Sequence, residues 1–397
     1  MNKAFLILED GSVFEGKSIG SEGKSIGEVV FTTGMTGYIE TLTDPSYFGQ
    51  IVTQTFPLIG NYGVETEDFE SKKSWVRGYI VRELCDLPSN FRCEGDLDSF
   101  LKGQGIVGIA GIDTRALTKK LRDVGTMNGM ILSGECPEIT EDLKNEIKNY
   151  KIVNAVDAVS NKGGESLPLA PETVVSTGST TISAATPSPK GDTPLKTPVH
   201  VILWDFGAKK NIQRELEKRD CKVTVVPYNT TVEKILSLNP DGIMLSNGPG
   251  DPAENTGVIA EIKKICDSIA ENNSGSKRIS IFGICLGHQM LALARGAKTR
   301  KLKYGHRGGN HPCKDLRTGR VYITSQNHGY AVETENLPPY AQLSFINSND
   351  NTCEGLEYTD IPAFSVQFHP EACGGPHDTN FLFDRFLKMM EANCAVK

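Results

Sequence analysis

The residues best suited to do chemistry are Cys285, His369 and Glu371, in the stretches FGICLGHQM and SVQFHPEA. A cysteine is a strong nucleophile, a histidine can act as its base, and a carboxylate can hold the histidine in the required tautomer. Such a set performs acyl transfer, in which sulfur attacks a carbonyl carbon and the histidine moves the protons. The sequence therefore predicts a thiol enzyme, provided that the fold brings the three residues together.

Cys285 lies where a run of β-branched residues gives way to helix formers. Residues 279–284 form a predicted buried strand and 286–295 a predicted helix, so Gly283 and Gly287 flank a sharp turn. This arrangement parallels the hydrolase nucleophile elbow G-x-S-x-G, with sulfur in place of oxygen. Amides at a helix start stabilise negative charge, and the Leu286 amide would face the oxygen of an attacked carbonyl. The other nine cysteines are expected to be ordinary small apolar residues.

His369 is the preferred base among the seven histidines. It ends a predicted strand that Pro370 stops, and Glu371 follows at a two-residue spacing that puts both side chains on one side. The alternative base is His328, in SQNHGYAV, but no acid follows it at that spacing. We expect the His328 segment to contact substrate through its backbone.

A metal site is not predicted. His306, His311 and Cys313 lie in YGHRGGNHPCKD, but their spacing matches no common zinc pattern, and the glycine-rich context indicates a loop.

The stretch LSNGPGDP (245–252) also follows a predicted strand, and its Gly-Pro-Gly exposes backbone amides. Such a loop suits an oxyanion hole or a substrate anchor, although Gly-Pro pairs also form ordinary turns. Strands and helices alternate from residue 199 onward. This half is therefore predicted to be α/β, with a largely parallel sheet and helices on both faces. Ligands gather at the carboxyl ends of such strands, where these motifs lie.

The chain divides into three predicted parts: residues 1–159, 160–198 and 199–397. In the middle part, 23 of 39 residues are Ser, Thr, Pro or Gly, which indicates a flexible linker; a phosphorylated interaction segment is the alternative. The first part is predicted to be a β-rich α/β domain, with a hairpin around Asp10-Gly11 and a helix over 113–124. It shows no nucleophile–base pair or phosphate loop, so we expect a scaffold or an interface.

Composition narrows the functional class. A net charge of −7 gives no reason to expect a nucleic-acid partner, and no apolar run is long enough to span a membrane. The ten cysteines are scattered rather than paired, as in a reducing compartment. The chain begins almost at once with strand-like alternation, without a recognisable leader. A cytoplasmic protein is expected.

Together and in this order, the motifs NGPGDP, FGICLGHQ and FHPE resemble the class I, triad-type glutamine amidotransferases. In that family a cysteine attacks the carboxamide of glutamine, a glutamyl thioester forms and ammonia leaves. Residues 37–63, 108–125, 303–312 and 324–333 look like the small, glutamine-hydrolysing subunits of carbamoyl phosphate synthase. The resemblance covers the chain except the linker, and its N-terminal half distinguishes it from the anthranilate and GMP synthase glutaminases.

The resemblance implies a set of site residues. The family's triad falls on Cys285, His369 and Glu371, with oxyanion amides from Gly248 and Leu286. Phe368 departs from relatives that have glycine before the histidine. Glutamine contacts carry over to eight positions: Ser46, Gly248, Gly250, Leu286, Gln289, Asn327, Gly329 and Tyr330. Because Ser46 belongs to the first domain, the two domains are expected to close on one site.

The resemblance also implies a large synthetase partner, docked on the first domain. Ammonia would be protonated in water, so it needs a protected route to that partner. ATP and Mg²⁺ are expected only on the partner, and no cofactor is expected in this chain. The rival functions are a stand-alone thiol amidase or peptidase and a non-catalytic adaptor. The sequence leaves open a free subunit or a fusion segment, and supply of arginine or of pyrimidine synthesis.

Overall fold

The structure is a computed structural model that describes residues 2–162, 198–271, 278–335 and 337–394. The predicted linker, residues 160–198, lies outside the described residues except at its two ends. The three-part division of the chain therefore stays a prediction.

The N-terminal part is built around a closed barrel. Seven strands pair in the order β1-β2-β8-β6-β4-β3-β9, and β5 pairs with β7 beside them. The elements are β1 Lys3–Leu8, β2 Val13–Gly20, β3 Lys24–Thr32, α1 Tyr38–Thr43, β4 Gln50–Gln54, β5 Leu58–Ile59, β6 Gly78–Val81, β7 Glu83–Leu84, α2 Leu97–Gly103, β8 Val107–Ala110, α3 Thr114–Val124, β9 Met127–Ser133, α4 Glu141–Lys148 and α5 Ala155–Val159.

The hairpin and the helix predicted for the N-terminal part are both present in the structure. The predicted hairpin is confirmed, because β1 and β2 pair antiparallel around Asp10-Gly11. The predicted helix is α3, where the Asp113 side chain accepts a hydrogen bond from the Ala116 amide at 2.9 Å and Gly125 follows the last turn. Along β1, Leu6 packs in one apolar cluster and Ile7 in another, as the two-residue period of a strand requires. Short 3-10 helices cover Pro45–Tyr47 and Thr66–Asp68.

The C-terminal part contains a nine-stranded sheet of order β11-β10-β12-β13-β18-β17-β16-β14-β15. A 3-10 helix covers Pro252–Glu254. The elements are β10 His200–Asp205, α6 Lys210–Glu217, β11 Lys222–Pro227, α7 Val232–Ser237, β12 Gly242–Leu245, α8 Thr256–Glu271, β13 Ser280–Ile284, α9 Leu286–Ala294, β14 Thr299–Asp315, β15 Val321–Val332, β16 Ala341–Asn347, β17 Cys353–Tyr358, β18 Ala363–Val366 and α10 Phe381–Cys394.

The sheet confirms the predicted α/β class, and antiparallel strands extend it beyond the parallel part. Strands β11, β10, β12, β13 and β18 are parallel, and apolar clusters cover both faces. Ile202 packs on one face with Met290 of α9, and Leu203 on the other with Ile212 of α6. Strands β14 to β17 continue the sheet with antiparallel pairing. No helix among the described residues is long and apolar enough to cross a membrane.

Candidate active site

Cys285 lies at the turn between β13 and α9, where the sequence predicts it. Its φ is 53° and its ψ −104°, a left-handed conformation that is costly for a residue with a side chain. The thiol is buried, and its sulfur lies 3.6 Å from the Asn327 carbonyl oxygen. The turn therefore places the cysteine at the start of α9.

The glycines beside Cys285 are required by close backbone packing. A Cβ at Gly287 would overlap the carbonyl oxygen of Leu245 in β12, and one at Gly283 would contact the Gly287 backbone at 3.0 Å. The Gly287 amide donates to the Ser246 carbonyl at 3.0 Å. The tight turn thus depends on small residues on both sides of the cysteine.

His369 and Glu371 follow β18 as a buried pair. His369 Nδ1 lies 2.6 Å from Glu371 Oε1, and each residue is about 1% exposed. The Glu371 carbonyl accepts a hydrogen bond from the Asn211 side chain, and the His369 amide donates to the Ser325 carbonyl at 2.9 Å. The carboxylate therefore fixes the imidazole with Nδ1 as donor, which leaves Nε2 for proton transfer.

The charges at the site hold His369 protonated. Burial alone would lower the pKa of His369, and Lys209 acts in the same direction, but Glu371 and Cys285 raise this pKa to about 10. Burial would raise the pKa of Glu371, but His369 and Lys209 lower it to about 2. A protonated His369 can give a proton to a leaving group, as a general acid does.

Lys209 belongs to this cluster and was not predicted from the sequence. Its Nζ lies 3.3 Å from Glu371 Oε1, 3.3 Å from His369 Nδ1 and 3.7 Å from Asp44 Oδ2. Burial would lower the pKa of Lys209, but Asp44, Glu371 and Glu70 raise it. The ammonium group therefore stays charged and balances the buried carboxylates around it.

The N-terminal part supplies one wall of the site. Ser46 Oγ accepts a hydrogen bond from Asn247 Nδ2 at 2.9 Å, and Asp44 Oδ2 accepts one from Asn327 Nδ2 at 3.1 Å. The Asp44 side chain also accepts from the Ser46 amide at 2.9 Å and so shapes the turn that carries Ser46. Two parts of the chain thus meet at one site, as expected.

A cleft of about 350 Å³ opens beside the sulfur. Leu286 does not line the cleft but starts the helix that follows Cys285. The other predicted glutamine-contacting residues all line the cleft with Cys285: Ser46, Gly248, Gly250, Gln289, Asn327, Gly329 and Tyr330. The structure therefore brings the predicted binding residues to one place.

Gly248 and Leu286, the two residues predicted to supply oxyanion amides, lie close together. A Cβ on Gly248 would overlap the Phe206 carbonyl oxygen and lie 2.7 Å from Leu286 Cδ2, so this loop packs tightly against the helix start. Leu286 is the first residue of α9, where amides have no acceptor within the helix. Gly250 has a φ of 88°, which sets the turn of the same loop.

Gln289 links α9 to the wall of the cleft formed by residues 327–330. Its side-chain amide donates to the Tyr330 carbonyl at 2.8 Å and to Gln367 Oε1 at 2.9 Å. Burial raises the pKa of Tyr330, and the charge of Asp251, which also lines the cleft, acts in the same direction. These contacts hold the wall formed by residues 327–330.

A second cleft, of about 730 Å³, reaches the site from the His369 side. Lys209 and Asp44 also line it, and Asn327 lines both clefts. Its wall includes Glu40 and Glu70, whose pKa burial raises to about 7 in each case. Cys285 and His369 therefore lie at the junction of two clefts.

His328, the alternative base, is engaged elsewhere. Its Nδ1 lies 2.7 Å from the Tyr330 carbonyl oxygen and its Nε2 3.1 Å from Gln326 Oε1. Burial lowers the pKa of His328 well below the usual range. Both ring nitrogens of His328 therefore contact oxygens of the cleft wall, whereas His369 is oriented by the carboxylate of Glu371.

Three residues bring possible metal-ligand atoms together, namely His306, His328 and Glu354, within 4.8 Å of one another. His306 Nε2 lies 2.9 Å from Asp350 Oδ2. Burial would lower the pKa of His306, but Asp350 and Glu354 raise it to about 9. A protonated imidazole has no lone pair for a metal, so the charges favour an imidazolium at neutral pH.

Comparison with known proteins places the chain in a family. Residues 6–131 match the family model "Carbamoyl-phosphate synthase small chain, CPSase domain", and residues 202–389 match "Glutamine amidotransferase class-I". A solved glutamine amidotransferase from Thermotoga maritima is 18% identical with a TM-score of 0.35, covering 50% of this chain and 86% of that one.

Two curated relatives match over nearly the whole chain. The carbamoyl phosphate synthase small chain of Listeria monocytogenes serotype 4b is 50% identical, over 98% of this chain and 97% of the relative. That of Fusobacterium nucleatum is 49% identical, over 98% of each chain. The chain belongs to the family of carbamoyl phosphate synthase small chains, the glutamine amidotransferase subunits of that enzyme.

Proposed function

We propose that the chain hydrolyses L-glutamine to glutamate and ammonia and delivers the ammonia to a synthetase subunit that makes carbamoyl phosphate. The observation that carries this proposal is the meeting of a strained, buried Cys285 with the buried His369–Glu371 pair beside a cleft. The cleft is about 350 Å³ and is lined by glycines and by polar and charged side chains of both signs, which suits a small zwitterionic amino acid.

In the proposed reaction, Cys285 Sγ attacks the carboxamide carbon of glutamine. The carbonyl oxygen becomes negatively charged, and the amides of Gly248 and Leu286 stabilise it. His369 gives a proton to the departing nitrogen, the carbon–nitrogen bond breaks, and ammonia and a glutamyl thioester result. His369 then takes a proton from water, whose oxygen attacks the thioester carbon and releases glutamate and the thiol.

The other residues position these groups. Glu371 orients His369, and Lys209 holds Glu371 ionised. We propose that Ser46, Gly250, Gln289, Asn327, Gly329 and Tyr330 bind the rest of the glutamine molecule, because they line the cleft or hold its wall. The buried side chain of Phe368 packs against Phe345, with ring centroids 5.4 Å apart, and so supports the segment that carries the base.

Ammonia loses its lone pair when it is protonated in water, so delivery needs a shielded path. The second cleft meets the site at His369 and Asn327, and it is the candidate exit. We propose that ATP and Mg²⁺ bind to the partner and that this chain carries no cofactor. The cysteines from Cys85 to Cys373 are free thiols, which supports action in the reducing cytoplasm.

Glutamate release from glutamine by the purified chain tests the proposal, with and without the carbamoyl phosphate synthase large subunit. We expect slow turnover alone and a strong rise with the partner, with Cys285→Ser as the inactive control. Equal turnover in both conditions would indicate a stand-alone amidase instead. No turnover in either would indicate a non-catalytic adaptor.

A further inference from the structure

Two large apolar side chains of the N-terminal part project into solvent. Leu87 is 87% exposed and Phe91 is 97% exposed, which makes them the most exposed large hydrophobic residues among those the structure describes. Scattered apolar residues are common on protein surfaces. These two belong to one short segment, residues 85–94, between β7 and α2. Their proximity in one segment distinguishes them from incidental exposure.

The segment is held in place by its backbone at both ends. The Cys85 amide donates to the Ile59 carbonyl at 2.8 Å, and the Ser89 amide donates to the Asn61 carbonyl at 2.9 Å. At the other end, the Glu94 amide donates to the Val64 carbonyl at 2.9 Å. The backbone that carries Leu87 and Phe91 is therefore anchored to residues 59–64, which follow from β5.

Arg92 fixes the position next to Phe91. Its guanidinium lies 2.6 Å from Glu65 Oε2, a side chain that is only 3% exposed, and its amide donates to Asn90 Oδ1 at 2.9 Å. An anchored segment presents its apolar side chains without first losing the entropy of a mobile loop. Rigid apolar side chains of this kind are typical anchors of protein interfaces.

The surroundings of the two side chains are acidic. Glu65, Glu67 and Asp68 lie around the cation Arg92. The Glu67 carbonyl also accepts from Arg214 at 3.1 Å, and Glu94 accepts from the Thr66 amide and hydroxyl. A partner surface that fits this region has an apolar pocket with a basic rim.

The segment adjoins the second cleft. Asn90 and Arg92 line that cleft, as does the exposed Met35, and the same cleft reaches His369. A protein seated on Leu87 and Phe91 would therefore lie beside the opening through which a product of the site could leave.

We propose that Leu87 and Phe91 anchor the synthetase large subunit on this chain, inserted into an apolar pocket with a basic rim. This inference rests on the proposed function, because it requires a synthetase that receives ammonia. It assigns the docking to an acidic segment beside the second cleft. It also explains why the molecule maintains two exposed apolar side chains on a fixed backbone.

The test is the double variant Leu87→Ser/Phe91→Ser, with binding to the cognate large subunit measured by sedimentation velocity and by titration of glutamine-dependent carbamoyl phosphate synthesis. We expect the dissociation constant to rise about 100-fold, as for the loss of two interface anchors. The glutaminase activity of the isolated chain and the ammonia-dependent synthesis of the large subunit should not change. Leu236→Ser, at an exposed leucine of α7, is the matched control. The single variant Phe91→Leu keeps a large apolar side chain at this position, so it should bind the large subunit with most of the wild-type affinity.

The outcomes separate this inference from the proposed function. Wild-type and double-variant chains that bind the large subunit equally would overturn the docking surface while the proposed function stands. A wild-type chain that neither binds nor responds to the large subunit would overturn both. A double variant that loses self-association but keeps large-subunit binding would assign the surface to a second copy of this chain and overturn the inference.

Discussion

The ammonium group of Lys209 lies 3.3 Å from a carboxylate oxygen of Glu371, within a buried cluster of charges. This contact connects the residue that precedes α6 to the segment that follows β18. A buried carboxylate is costly unless a cation pairs with it. Lys209 is therefore a positioning residue for the histidine–carboxylate pair.

Replacing Lys209 with methionine should lower turnover about tenfold and destabilise the fold by about 3 kcal/mol, because Glu371 and Asp44 would lose their cation. Lys209 lowers the pKa of Glu371 and of His369, so its loss should move the acid limb of the pH–rate profile to higher pH. Steady-state glutaminase assays and urea unfolding measure these effects. Lys210→Met, at the half-buried neighbouring residue, is the control. Equal effects of the two substitutions would contradict the positioning role of Lys209.

Replacing Cys285 with serine should abolish glutamine turnover, by about 10³-fold or more, because an alcohol at this position lacks the thiolate's reactivity. The fold should persist, since the substitution leaves the turn geometry unchanged. Mass spectrometry of the wild-type chain during turnover should detect a glutamyl adduct on Cys285. Cys136→Ser, at an exposed cysteine, is the control, and retained turnover in Cys285→Ser would rule out the nucleophile.

His369→Asn should lower turnover about 10⁴-fold and Glu371→Gln about 10²-fold, because the histidine carries protons while the carboxylate orients it. Rapid-quench measurement of thioester formation would separate the two effects. The reverse order of the two losses would show that these roles are assigned incorrectly.

The pair also predicts a pH dependence of stability. The pKa of His369 is about 10, above its usual 6.5. Its contribution to the free energy of unfolding is therefore complete below pH 6.5 and is lost as the pH rises towards 10. The pKa of Glu371 is about 2, below its usual 4.5, so its contribution is present above pH 4.5 and is lost as the pH falls towards 2. Glu371→Gln should flatten the free energy of unfolding between pH 6.5 and 10. Urea titrations across this range test it, and an unchanged slope would contradict the pairing.

Ser46→Ala should raise the KM for glutamine about tenfold with a smaller change in kcat, because Ser46 lines the cleft without joining the proton path. Ser25→Ala removes another buried serine hydroxyl of the same domain, bonded to the Arg77 carbonyl at 2.6 Å, and should leave the KM unchanged. A loss confined to kcat in Ser46→Ala would show that the hydroxyl acts on the chemical step.

Deleting residues 170–190 should leave glutaminase activity within about twofold of wild type. The Asn161 amide donates to Asp205 at the end of β10, whereas Pro198 precedes its start, so the described ends lie about one strand length, or roughly 20 Å, apart. The 14 residues that remain between 162 and 198 could span about 45 Å. Activity assays and thermal unfolding check this, and a large loss of either would assign the deleted segment a structural role.

The sequence predicted the parts of the site that depend on local signals. Cys285 between two glycines at a strand–helix change, and His369 with Glu371 two residues later, are patterns within single segments. The parallel strands and α3 followed in the same way from periodicity and capping.

Residues whose role depends on contacts between distant segments were not predicted. The sequence does not distinguish Lys209 from Lys210, because both stand at the start of an amphipathic helix. Only the structure shows that Lys209 is buried beside Glu371. Asp44 precedes a proline and resembles an ordinary turn residue, although its partner is Asn327, 283 positions away. The closing of the barrel and the antiparallel extension over β14–β17 likewise depend on strand pairings that no single segment encodes.

The hydrogen bond from Asn247 to Ser46 gives the glutamine cleft a wall on each of two independently built parts of the chain. A small tilt of the barrel against the sheet would change the width of the cleft, even though Cys285 stays fixed on its turn. We expect such a tilt to change the affinity for the substrate. We expect a partner that binds the barrel far from the cleft to change how tightly the substrate is held, both through this wall and through Asp44, which contacts Lys209 and Asn327.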